Sequence, residues 1–280
     1  MIGTTENNPP FSPEQIGVGT VRFSSKGRFE THKDQMVDPY AETRIPKEIQ
    51  IEGYQYAPQQ NAPQQTGKFP GIIFLHDRWG LTSHTQEMAK KLAREGYVVL
   101  VPNFYNRQGG MITANAEVAD ALMNRLDEQL ALRDINACCE YLNANLSDEA
   151  SLEQTKRNAH VVVGFGMGGR LALLFATHRK HIKGAVAFGG VIDNGPDLVQ
   201  HLHCPVLCHI PTMDESSDSQ KMKEFQESAS QAVQPVEIQT YPNTSPEFWN
   251  DNRPDRYQPD MADRAWATTV NFLKKVLGPS

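Results

Sequence analysis

The residues of this chain best placed to do chemistry form one glycine-rich turn, Gly164-Phe165-Gly166-Met167-Gly168-Gly169. Three β-branched residues, Val161-Val162-Val163, lead into it. An apolar run, Leu171-Ala172-Leu173-Leu174-Phe175-Ala176, leads away, a pattern that predicts strand, sharp turn and helix. Two chemistries use such a turn. An elbow of the form Gly-x-nucleophile-x-Gly aims a reactive side chain above a sheet. A dinucleotide fingerprint, G-x-G-x-x-G, has the spacing of Gly164, Gly166 and Gly169. The fingerprint also needs an acidic residue about 20 positions on, at the end of the next strand. That strand, Gly184-Ala185-Val186-Ala187-Phe188, runs into Gly189-Gly190 with no carboxylate. The elbow reading is therefore preferred, and it places Gly166, which has no side chain, where the nucleophile belongs.

The elements around this turn alternate. Glu48 to Tyr54 alternates polar and apolar residues, as a half-buried edge strand would. Gly71-Ile72-Ile73-Phe74-Leu75-His76 and Tyr97-Val98-Val99-Leu100-Val101-Pro102 are continuous apolar runs typical of buried parallel strands. Between them Ser83 is the expected N-cap of a helix through Met88 and Leu92. Residues 116 to 146 are helical in pattern with a break near Asp127. Pro205 to Ile210 and Val236 to Tyr241 are further strands, Lys221 to Val233 is a helix, and Met261 to Val276 closes the chain as a helix. The expected architecture is α/β: a mostly parallel central sheet with helices on both faces. Residues 1–45 are polar and are expected to form a poorly ordered arm with a short strand near Thr20–Phe23, ahead of one domain over 46–280.

Composition narrows the partners. The net charge is −6 and no basic run occurs, which disfavours nucleic acid and anionic membrane. No segment approaches the ~20 apolar residues of a membrane span. The N-terminal residues lack a secretory pattern, and Cys138, Cys139, Cys204 and Cys208 do not read as a disulfide framework, so the expected location is cytoplasmic. The run from His201 to His209 contains three histidines and two cysteines. A strand over 205–210 would separate its ends by ~16 Å, at ~3.3 Å per residue, too far for one metal. No metal or cofactor is expected.

Taken together, Glu95 to Tyr105 with Arg107-Gln108-Gly109, the elbow Gly164–Gly169, Asp214 after its strand, Tyr241-Pro242, Phe248 to Asn250, Arg253-Pro254, Tyr257 and Ala265-Trp266 resemble the dienelactone hydrolase family of α/β-hydrolases from about residue 44 onward. The resemblance implies lactone or ester hydrolysis by a nucleophile–His–acid triad, with cysteine as the usual nucleophile. Carried over position by position, the nucleophile falls on Gly166, the acid on Asp214 and the histidine on Pro246. A one-residue slip would supply Ser245 or Glu247 instead, neither of them a histidine. Asp77 stands where the family has a glutamate near its nucleophile, and the implied oxyanion donors are the backbone amides of Met167 and Arg78. Glycine offers no attacking atom, and proline has no titratable group. The elbow position of this fold is strained for any non-glycine residue by ~1–3 kcal/mol, a strain that glycine relieves.

Two functions follow as expectations. One is a non-catalytic member that binds a small ligand or a partner. The other is a slow hydrolase using water activated by Asp77 or His76. Trp79, Tyr105, Arg107, Phe248 and Trp249 are the expected pocket lining, with Arg107 at a position the family uses near its anionic substrate. An aromatic wall with one cation suits a small aromatic or lactone carboxylate. The same residues also admit purely structural roles. Phe248 and Trp249 could simply pack the last loop, His76 could be a hydrogen-bonded core histidine, and His84 is expected at the surface of a helix start. Cys138, Cys139 and Cys208 are expected in the core.

Overall fold

The structure is a computed structural model. It describes residues 9–26, 48–59, 68–144, 155–190, 195–213 and 219–278. Eight strands form one sheet in the order β1-β2-β4-β3-β5-β6-β7-β8. The central strands are β3 (Phe69–Leu75), β4 (Val98–Pro102), β5 (Thr155–Phe165), β6 (Gly184–Phe188), β7 (Val206–Pro211) and β8 (Val236–Tyr241). They pair in parallel, whereas β1 (Ile16–Lys26) and β2 (Glu48–Pro58) join antiparallel at one side. The expected α/β architecture with a mostly parallel sheet is present.

Every residue of β3, β4, β6 and β7 is buried. Side chains of successive strand residues point to opposite faces, so burial without alternation means that both faces are covered. The covering helices are α1 (Ser83–Arg94), α2 (Ala116–Asn124), α3 (Glu128–Ala144), α4 (Met167–His178), the short α5 (Gly195–Gln200), α6 (Ser219–Gln231) and α7 (Pro259–Leu277). The break expected near Asp127 separates α2 from α3. Among the described residues no helix is long and apolar enough to cross a membrane.

Three local expectations are corrected. β2 is not an edge strand: β1 pairs with it from Ile16↔Pro58 to Lys26↔Glu48 and takes the edge. That strand is far longer than the short one expected near Thr20–Phe23, because Val21, Phe23 and Ser25 supply one buried side. The α1 N-cap is Thr82 rather than Ser83, and its hydroxyl accepts from the Thr85 amide at 3.3 Å.

Candidate active site

The turn between β5 and α4 is an elbow with Gly166 as its N-cap, at φ 52° and ψ −114°. The other glycines of the turn are there for close backbone approach. A Cβ on Gly164 would lie 2.1 Å from the Gly168 carbonyl oxygen. One on Gly168 would lie 2.4 Å from the Leu75 carbonyl oxygen, and one on Gly169 2.6 Å from that of Gly189. Gly166 differs. A Cβ there would meet nothing nearer than the Asp77 Cβ at 3.7 Å, an ordinary contact. At this position the conformation disfavours a side chain, but the surroundings leave room for one. The Gly166 amide donates to the Phe188 carbonyl at 2.8 Å, which ties the elbow to the end of β6.

The loop after β3 brings Asp77 and Arg78 to the elbow. Asp77 is buried, and its Oδ1 accepts from the Trp79 amide at 2.9 Å. Burial pushes its pKa up to about 7, against the pull of the Trp79 amide; the nearby Glu247 carboxylate raises it further, and Arg78 and Arg253 lower it. Tyr105 donates its hydroxyl to the Arg78 carbonyl at 3.0 Å and lies 3.6 Å from the Met167 sulfur. Arg78 and Met167 are therefore neighbours. Among the described residues neither of their amides donates a backbone hydrogen bond.

His76, at the end of β3, spends both ring nitrogens on the backbone. Its Nδ1 donates to the Asp77 carbonyl at 2.6 Å, and its Nε2 accepts from the Phe104 amide at 3.1 Å. Burial lowers its pKa to about 4. It holds the loop carrying Asp77, and it has no lone pair left with which to activate water. His209 is likewise saturated. Its Nε2 lies 2.9 Å from Thr269 Oγ1, whose proton goes to the Ala265 carbonyl, and its Nδ1 lies 2.7 Å from the Tyr241 hydroxyl. The proton therefore sits on Nε2, and Tyr241 donates to Nδ1. The four cysteines are buried, and burial pushes the thiols of Cys139, Cys204 and Cys208 up to about 12 and that of Cys138 well above its usual value. None of them is an activated thiol.

The expected lining residues separate into two groups. Trp79, Tyr105, Phe248 and Trp249 are all buried near the elbow. Trp249 stacks on Phe165, with ring centroids 5.6 Å apart, and Phe248 meets Trp249 edge-on at 5.0 Å. Arg107 instead forms a two-pronged ion pair with the fully buried Asp134, with Nη2 to Oδ1 at 2.7 Å and Nη1 to Oδ2. Pro246 lies half-buried in the turn 245–248, and Asp214 lies outside the described residues.

Glu247 is the residue of this site that the sequence does not assign. It sits at φ 71°, a positive value rare for a residue with a long side chain. Its Oε1 accepts from the Trp79 indole at 3.0 Å and lies 3.8 Å from Arg78 Nη2. Its Oε2 is buried with no partner among the described residues. Trp79 thus joins two carboxylates, Asp77 by its amide and Glu247 by its indole, while Arg78 and Arg253 lie 4.6 and 4.9 Å from its ring. A lone acid among aromatic residues after the last strand was the available signal. His84, expected at the surface, is 2% exposed and holds Asp251 Oδ1 at 2.8 Å through Nδ1. The loop carrying Trp249 and Asp251 folds over it.

Comparison with known proteins places this geometry. The model of the dienelactone hydrolase family matches residues 51–277. A Bradyrhizobium protein named "Probable 2-oxo-3-(5-oxofuran-2-ylidene)propanoate lactonase" is 28% identical over 222 residues, covering 76% of this chain and 86% of its own. Among solved structures, a dienelactone hydrolase-like promiscuous phosphotriesterase from metagenomic libraries superposes with a TM-score of 0.72 at 15% identity, covering 94% of this chain and all of its own. A dienelactone hydrolase from Anabaena variabilis gives 0.59 at 16% identity, covering 94% and 99%. These structural likenesses are of fold.

Proposed function

The chain belongs to the dienelactone hydrolase family, and on that premise we propose that it is a member without the covalent acyl-transfer chemistry of a nucleophile–His–acid triad, serving as a binder of a small ligand. The observation that carries this reading is Gly166. The elbow backbone, the neighbouring Asp77 and the free space for a side chain are all present, and the attacking atom is not. Pro246 supplies no base. His76 and His209 have both ring nitrogens committed, and the described thiols are buried far from reactivity. At the position where the family resemblance puts the histidine partner of Asp214, the sequence has Pro246. The partner of such a site is a small molecule, and a lactone or aromatic carboxylate is the class that the family resemblance suggests.

One observation favours a second reading. Asp77 faces Gly166 and has a proton affinity near neutrality, which suits a general base. In that route a water attacks the ester or lactone carbonyl while its proton passes to the Asp77 carboxylate. The Met167 and Arg78 amides hold the oxyanion. The tetrahedral intermediate then expels the alkoxide, which takes the proton back from Asp77.

Hydrolysis of a dienelactone and of aryl esters by the purified protein, beside Asp77→Asn, tests the choice. Turnover at the level of the buffer blank for both proteins is the expected result. Multiple turnover by the native chain that Asp77→Asn abolishes would replace binding with water activation.

A further inference from the structure

A cavity of about 310 Å³ opens between α1 and α7, lined by Trp249 but not by its neighbour Phe248. Its volume is at the lower end of small-ligand pockets, ~300–1,000 Å³. Aromatic side chains make its walls: Phe188, Trp249, Tyr257 and Trp266. None of Gly166, Asp77, Arg78 or Met167 lines it.

Lys91 is one of three cations that line the cavity, with Lys90 and Arg94, and the carboxylates of Glu87, Asp251 and Asp263 line it too. The Lys91 ammonium lies 4.4 Å from the centre of the Trp266 ring. Among the described residues no carboxylate lies within 4 Å of it, although Asp251 and Asp263 also line the space. Asp251 Oδ1 is held by His84. Burial lowers the Lys91 pKa, and the attraction of Asp263, the largest opposing influence, does not cancel it. The charge is thus desolvated more than it is neutralised. Arg94, a turn further along α1, is occupied: its Nε donates to the Phe11 carbonyl at 3.1 Å.

Two buried nitrogens of the wall also lack partners among the described residues, His84 Nε2 and Trp249 Nε1. Because His84 Nδ1 gives its proton to Asp251, Nε2 is an acceptor, while the indole is a donor. Both atoms are closed off from solvent, so the groups that an occupant would meet are the rings and Lys91.

We propose that the α1–α7 cavity is a binding site for a small aromatic carboxylate, whose anion pairs with Lys91 and whose ring packs among Trp249, Trp266 and Phe188. The cavity shares Trp249 and Phe188 with the surroundings of the elbow but none of its reacting positions, so binding there stands whether or not the elbow turns over substrate. Binding and hydrolysis are different readouts.

Benzoate is the probe. The chain has three tryptophans, Trp79 at the elbow and Trp249 and Trp266 in the cavity. In a titration followed by the three indole N–H resonances, assigned by single Trp→Phe variants, benzoate shifts Trp249 and Trp266 saturably and leaves Trp79 in place. Lys91→Met, which retains the apolar stem, weakens binding at least tenfold, and benzamide, which lacks the charge, binds at least tenfold more weakly to the native chain. If Lys91→Met does not fold, Lys91→Gln takes its place, and thermal unfolding verifies the variant used. Absence of a saturable shift, a shift centred on Trp79, or undiminished affinity in the Lys91 variant would each overturn the assignment.

Discussion

Gly166 and Asp77 face each other so closely that a methyl group on the first would touch the Cβ of the second at 3.7 Å. The elbow glycine is thus the one residue of its turn whose missing side chain is not enforced by packing. Its neighbours are glycines because backbone passes where a Cβ would be, whereas Gly166 has room for one in a conformation that only glycine adopts without strain.

The contrast predicts the outcome of alanine substitution. Gly166→Ala retains the fold and costs ~1–3 kcal/mol, the strain of a non-glycine residue at φ 52°. Gly164→Ala and Gly168→Ala bring a methyl within 2.1 and 2.4 Å of carbonyl oxygens and must displace main chain, so they lose far more. Urea unfolding of the three variants gives the ranking. Equal losses would show that the space at Gly166 is not real.

Asp77 makes stability depend on pH in a defined direction. Its folded pKa, about 7, exceeds the ordinary 3.8, so the folded chain binds this proton more tightly than the unfolded one. The benefit is complete below about pH 4 and is lost as pH rises to 7. Asp77→Asn keeps an oxygen for the Trp79 amide and removes the charge. Its stability relative to the native chain therefore rises between pH 4 and 8, with a ceiling on the order of 4 kcal/mol. A difference that stays constant across this range would refute the assignment.

Buried histidines set the acid limit. Burial holds His76 and His160 at about 4 and His209 at about 3. Unfolding frees each to protonate near 6.5, so their contribution is present above 6.5 and lost as pH falls toward 4. Near pH 5 unfolding takes up about three protons at these residues and releases about one from Asp77. Stability then falls by on the order of 3 kcal/mol per pH unit. Chemical denaturation at pH 6.0, 5.5 and 5.0 measures the slope, and a flat profile would contradict it.

Much of this arrangement is legible from residue types alone. β3, β4 and β6 announce themselves as unbroken apolar runs, and the elbow by glycines whose spacing only close approach requires. β1 is harder to see because Gly17, Gly19 and Ser25 dilute its buried side, and the partner that orders it, β2, lies beyond a long intervening segment. The surroundings of His84 and Glu247 depend on contacts spanning more than 160 residues, to Asp251 and Trp79 respectively. No local pattern encodes a pairing of that reach. Arg107 carries the right charge at the expected place, yet the sequence does not disclose that a helix residue, Asp134, occupies it.

That pairing yields a stability prediction. Arg107→Leu strands the carboxylate of Asp134, which is 0% exposed, and destabilises the chain by ~3–5 kcal/mol. The double variant Arg107→Leu/Asp134→Leu recovers most of that loss. Thermal unfolding of the single and double variants decides the point, and additive losses would mean that the two residues act independently.

The posture of the elbow bears on redesign. The backbone at Gly166 takes φ 52° and ψ −114°, which glycine adopts freely and a larger residue adopts only under strain. On the proposed reading, giving position 166 a nucleophilic side chain takes one substitution and giving position 246 a base takes another, so two substitutions separate the present chain from one that carries both side chains. That distance makes it a natural starting scaffold for installing new hydrolytic chemistry one residue at a time.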